Sequence, residues 1–143
     1  MKMEIIRSIG SILAVMLFCY YLIACDDGIT IKQNFDFSVS VEKYRTEIVK
    51  DETMKLVFHL QREGNYVQTK YFVSCFIRNG QGTIRDKFGN ELMMNTAYTV
   101  YDTDAYELSY TSQCSDSHTI ELTFSDSFGN IREVVIELQN KRE

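Results

Sequence analysis

His118-Thr-Ile-Glu-Leu-Thr-Phe-Ser-Asp-Ser-Phe-Gly-Asn130, running on into Ile131-Arg-Glu-Val-Val-Ile-Glu-Leu138, decides the fold class. Ile120, Leu122 and Phe124 alternate with Thr119, Glu121 and Thr123. Val134, Ile136 and Leu138 resume the period after the turn. A period of two sends neighbouring side chains to opposite faces, one apolar and one wet, as in a strand of an antiparallel sheet. Between the two runs, Asp126-Ser-Phe-Gly-Asn130 supplies a carboxylate for nearby backbone N–H groups and residues that tolerate positive φ. The pair reads as a hairpin.

Outward from it the same period recurs. Phe35, Phe37, Val39 and Val41 alternate with polar residues, as do Met54, Leu56, Phe58 and Leu60, and then Tyr106, Leu108 and Tyr110. Tyr71, Val73, Cys75 and Ile77 form another set, but Phe72 and Phe76 make that strand apolar on both faces. A short run near Gly82–Arg85 completes seven strands, and no window carries a capped helical stripe. Turn residues sit at Glu63-Gly64-Asn65, Asn79-Gly80-Gln81-Gly82 and Asp86-Lys87-Phe88-Gly89-Asn90; the last repeats the hairpin phrase as reused turn chemistry rather than an internal repeat. Seven short strands in this length predict a single all-β, seven-stranded antiparallel sandwich over residues 35–140, with a polar tail at 141–143. The expected core is Phe37, Val39, Leu56, Phe58, Val73, Ile77, Leu108, Ile120, Leu122, Phe124, Val134 and Ile136. The stretch from Phe88 to Thr103 has no clean period and is expected to wrap an edge of the sandwich.

The N-terminus follows a different logic. Lys2 and Arg7 precede 17 uncharged residues, Ser8 to Ala24, too few to span a bilayer comfortably and well suited to the apolar region of an export signal. The run ends Leu22-Ile23-Ala24-Cys25, which resembles a bacterial lipobox. The resemblance implies a signal peptide over residues 1–24, lipid on Cys25 as the only covalent group, and a tether over 25–34. An uncleaved anchor helix with an incidental Cys is the alternative. Two or three acyl chains hold a protein firmly, at about 0.8 kcal/mol per buried CH₂. Removing residues 1–24 takes away Lys2, Arg7 and Glu4, so the net charge moves from −5 to −6.

That balance excludes the basic footprint of a nucleic-acid-binding domain, so no direct nucleic-acid contact is expected. Lys43, Arg45, Lys50 and Lys55 interleave with Glu42, Glu47, Asp51 and Glu52, which describes a solvated face. Candidates for chemistry are few. Cys114 and His118 have a Cys-x₃-His spacing that falls short of a zinc site or an oriented nucleophile pair. Asp102, Asp104 and Asp126 are turn carboxylates before they are calcium ligands. Cys75 lies inside a strand and Cys114 beyond the end of its neighbour, so register favours a buried free thiol at Cys75 over a disulfide. No catalytic residue, metal or cofactor is expected.

The closing hairpin resembles that of bacterial immunoglobulin-like domains. A longer series of phrases resembles the TraQ lipoproteins of conjugative transposons: Phe35-Asp-Phe-Ser-Val39, Leu60-Gln-Arg-Glu-Gly64, Thr69-Lys-Tyr71, Gly82-Thr83, Tyr110-Thr-Ser112 and Asp126-Ser-Phe-Gly-Asn130. This resemblance implies a non-enzymatic lipoprotein of the bacterial cell envelope, anchored to a membrane, whose partners are other proteins of a transfer apparatus. An independent lipid-anchored module of glycan or adhesin type is the alternative on the same fold. Two surfaces are candidate partner sites: Phe72 and Phe76 on the doubly apolar strand, and Phe88, Met93, Met94, Tyr98 and Tyr101 in the irregular stretch.

Overall fold

The computed structural model describes residues 36–63 and 69–141. The leader, Cys25, the tether, Phe35 and most of the turn expected at Glu63-Gly64-Asn65 lie outside the described residues.

The described chain is all β, in two sheets. The first has the order β1 (Phe37–Val41), β3 (Thr53–Arg62), β7 (Tyr106–Ser112), β5 (Gly82–Asp86). The second has the order β2 (Glu47–Ile48), β9 (Ile131–Asn140), β8 (His118–Asp126), β4 (Tyr71–Asn79), β6 (Tyr98–Val100). Four strands face three, as in an immunoglobulin constant-type sandwich, with one short strand added at each edge of the second sheet. The count is therefore nine rather than seven. β2 and β6, two and three residues long, are the additions, and elements so short cannot display a period. β2 also pairs with β9 in parallel, the one exception to antiparallel pairing among the described strands.

Parity sets the core. Met54, Leu56, Phe58 and Leu60 of β3 point inward, as do Tyr106, Leu108 and Tyr110 of β7; from the other sheet come Tyr71, Val73 and Cys75, Ile120, Leu122 and Phe124, and Ile136 and Leu138. The Phe58 and Phe124 rings meet between the sheets at 5.4 Å. Val39, Ile77 and Val134, expected inside, are only partly buried and pack against this cluster. Val39 lies on the edge strand β1, and Ile77 lies where a register shift interrupts the β4–β8 ladder.

The two Asp-x-Phe-Gly-Asn turns share one scheme. The Asp86 carboxylate accepts from the N–H groups of Phe88 and Asn90 and from the Asn90 side chain at 2.8–2.9 Å. Asp126 accepts the same three bonds from Phe128 and Asn130 at 2.7–2.9 Å. Gly89 and Gly129 take φ of 87° and 90°, values a side chain disfavours. The predicted wrapping stretch does follow the open edge. Leu92 N–H donates to Ile84 of β5, and Asn95 N–H donates to Cys75 of β4, so the chain crosses from one sheet to the other.

Candidate functional site

The structure places the sequence-derived surface residues in three locations. Phe72 and Phe76 stand on the outward face of β4, Phe72 half-buried and Phe76 40% exposed. Asn95 bonds Cys75, so Met93 and Met94, both exposed, adjoin β4 next to the segment that β6 covers. Tyr98 is half-buried, packs on the core and accepts the Met93 N–H at its hydroxyl, 2.8 Å. It braces this stretch from beneath.

Phe88 and Tyr101 form a separate cluster. Their rings lie 5.2 Å apart, and Tyr101 meets the buried Tyr106 edge-on at 5.8 Å. The Lys87 ammonium sits 5.4 Å from the Phe88 ring and 5.0 Å from the Tyr101 ring, so the π faces already hold a cation. The irregular stretch therefore presents two patches, divided where the chain changes sheets.

Three exposed apolar residues were missed by sequence reading. Ile131, 55% exposed, and Val135, 49% exposed, face outward from β9. Ladder pairing sets them across β8 from the β4 phenylalanines: Phe72, Ser125 and Ile131 in one row, Phe76, Glu121 and Val135 in another. The signal was present in parity, since 131 and 135 fall opposite to Val134, Ile136 and Leu138. Phe128, 51% exposed, caps the hairpin at the end of this sheet.

The residues weighed for catalysis are committed elsewhere. His118 is buried, with Nδ1 2.7 Å from the Tyr110 hydroxyl and Nε2 3.1 Å from the Ser112 hydroxyl. Ser112 donates to the Cys114 carbonyl at 2.9 Å, so it accepts from Nε2–H, and Nδ1 accepts from Tyr110. The Cys114 thiol instead receives the Gln81 N–H at 3.2 Å. Burial lowers the His118 pKa and raises that of Tyr110 to about 12, so the network is neutral. It joins the two sheets at the β4–β5 turn, where a Cβ on Gly80 would meet His118 Nδ1 at 2.3 Å. Sequence reading placed His118 at a strand start; its parity with Ile120 marks it as inward. Cys75 and Cys114 are both free thiols, Cys75 buried and its pKa pushed up by burial.

Asp102 accepts from the N–H groups of Asp104 and Ala105 at 3.1 Å, and Asp126 holds its own turn. Among the described residues no three His, Cys, Asp or Glu side chains converge as a metal site. His59 is on the wet face of β3, paired with Glu42 at 2.9 Å and bonded to the Asp104 carbonyl.

Comparison with known proteins converges on one group. Among curated proteins no sequence matches this chain. Among solved structures, the chain is similar to a conjugative transposon lipoprotein from Bacteroides eggerthii, with 25% identity, a TM-score of 0.68, and coverage of 73% of this chain and 97% of that one. It is similar to a lipoprotein from Bacteroides thetaiotaomicron, with 29% identity, a TM-score of 0.68, and coverage of 82% and 89%. It also resembles a conjugate transposon protein from Bacteroides vulgatus, with 29% identity, a TM-score of 0.67, and coverage of 82% and 94%. The family model described as TraQ conjugal transfer protein matches residues 8–141, so the chain belongs to the TraQ conjugal transfer family.

Proposed function

We propose that this chain is an accessory, non-enzymatic component of the conjugative transfer apparatus that works by docking other transfer proteins. Lipid on Cys25 holds it to a membrane of the bacterial envelope. The observation that carries this reading is the exposure of large apolar side chains, Phe76, Ile131 and Val135 among them, on the face of a well-packed sandwich. Several large apolar side chains gathered on one outward sheet face of a small domain favour a place where something binds. Family membership supports transfer over an independent glycan or adhesin module. A net charge of −5, or −6 once residues 1–24 are removed, leaves the DNA itself to other components.

The test is an in-frame deletion in the donor, complemented by the wild type and by Cys25→Ala. The reading expects a fall in mating frequency, full rescue by the wild type and poor rescue by Cys25→Ala, which should also lose acyl labelling. Unchanged mating in the deletion strain would remove the transfer role. Equal rescue by both forms would keep the role and make the anchor dispensable.

A further inference from the structure

By side-chain size, the outward face of β4, β8 and β9 is a shallow groove, with larger residues on the two outer strands and mostly smaller ones on β8. Phe72 and Phe76, with Ser74 between them, form one ridge and Ile131 and Val135, with Glu133 between them, the other; Glu121, Thr123 and Ser125 of β8 lie between the ridges. Strands two places apart are separated by roughly 9–10 Å, and four residues along a strand span about 13 Å. An α-helix is about 10 Å wide and rises about 12 Å over eight residues. A helix lying along β8 therefore sets apolar residues at i, i+4 and i+8 against both ridges.

Glu121 on the groove floor is paired with Arg78. Glu133 and Glu137, exposed on the β9 side, make no ion pair with any described residue. The β9 ridge thus carries two uncompensated carboxylates, Glu133 between Ile131 and Val135 and Glu137 beyond Val135.

We propose that this groove docks an amphipathic, basic helix of another transfer protein, its apolar stripe between the ridges and its Lys or Arg residues facing Glu133 and Glu137. The proposal rests on the docking reading above and adds the face and the partner's chemistry. A second copy of this chain placed face to face would set those carboxylates against a surface of the same sign, and an anionic bilayer would repel them. The Phe88–Tyr101 cluster is a weaker candidate because Lys87 already covers it.

The test places a photoreactive phenylalanine analogue at Val135 of the full-length protein in donor cells, with Lys55 on the outward face of β3 as control. Mass spectrometry then maps the cross-linked peptide. The expected adduct is a segment with an apolar stripe at helical spacing and net positive charge, formed at position 135 and not at 55. Combining Glu133→Lys with Glu137→Lys should lower its yield by about tenfold or more. An adduct with a second copy, with lipid, or with an acidic or uncharged segment would overturn the proposal. So would no adduct, or one indifferent to charge reversal. A mating defect in the deletion strain without the adduct keeps the transfer role and removes this face. The adduct without a mating defect does the reverse.

Discussion

The outward faces of the two sheets are built by the same backbone and differ in chemistry. On the first sheet the outward residues of β3 and β7 are Thr53, Lys55, Val57 and His59, and Glu107, Ser109 and Thr111. They bind one another: Lys55 pairs with Glu107 at 2.8 Å, the Thr53 and Thr111 hydroxyls meet at 2.9 Å, and Glu42 holds His59. On the second sheet the outward residues include Phe76, Ile131 and Val135, which leave their apolar surface to solvent, and the half-buried Phe72. A sandwich needs one apolar face per sheet for its core. The first sheet has no more than that, whereas the second has an extra face that folding does not require. Such surplus is where function is to be sought in a small fold that serves many roles.

Both faces rest on the core between them. Phe58 is fully buried and meets Phe124 across the sheets, so Phe58→Ala should cost about 3–5 kcal/mol, read by denaturant unfolding. Both faces would be lost together.

The repeated turn gives the next effect. Asp126, buried, and Asp86, half-buried, accept the same three hydrogen bonds. Removing the carboxylate orphans those donors, and the penalty grows with burial. Asp126→Ala should cost about 2–3 kcal/mol and Asp86→Ala about 1 kcal/mol, measured the same way. Equal costs would mean that burial of the turn on the second sheet adds nothing.

These turns also show what the sequence made legible. Two copies of one phrase announced one piece of turn chemistry, and the structure has it twice, bond for bond. Strict alternation placed β3, β7 and β8 and their inward residues because each side chain's face follows from its own position. Other features depend on distant partners. β2 exists because Thr46 and Ile48 carbonyls accept from Gln139 and Lys141, nearly a hundred residues away. The path of Leu92 to Asn95 follows backbone carbonyls of Ile84 and Cys75, and no local pattern encodes that. Half of the candidate surface, Phe72 and Phe76, was visible as excess apolarity on one strand. Parity alone turned Ile131 and Val135 outward, but only pairing across β8 brings them opposite those phenylalanines.

A smaller effect separates the two histidines. Burial lowers the pKa of His118, so below about pH 6.5 the unfolded chain takes up the proton first. Its contribution to stability therefore falls as pH drops from about 6.5. On the other face, the Asp104 carbonyl and then Glu42 raise the pKa of His59. That contribution is present below about pH 6.5 and is lost as pH rises through the folded value. Thermal melts at pH 7.5 and pH 5.0 should show acid destabilisation that steepens in His59→Gln. An unchanged slope would mean that the His59 pair contributes nothing.

The smallest stability effect is expected where the functional effect is largest. Phe76→Ser combined with Val135→Ser removes exposed side chains and should change stability by no more than about 0.5 kcal/mol per site. The most direct measurement is mating frequency from a deletion donor complemented by this double variant, beside Lys55→Ser combined with Val57→Ser on the opposite sheet. The account predicts that the first pair fails to restore transfer, by about tenfold or more, at normal protein abundance, and that the second restores it fully. Equal restoration by both would contradict it.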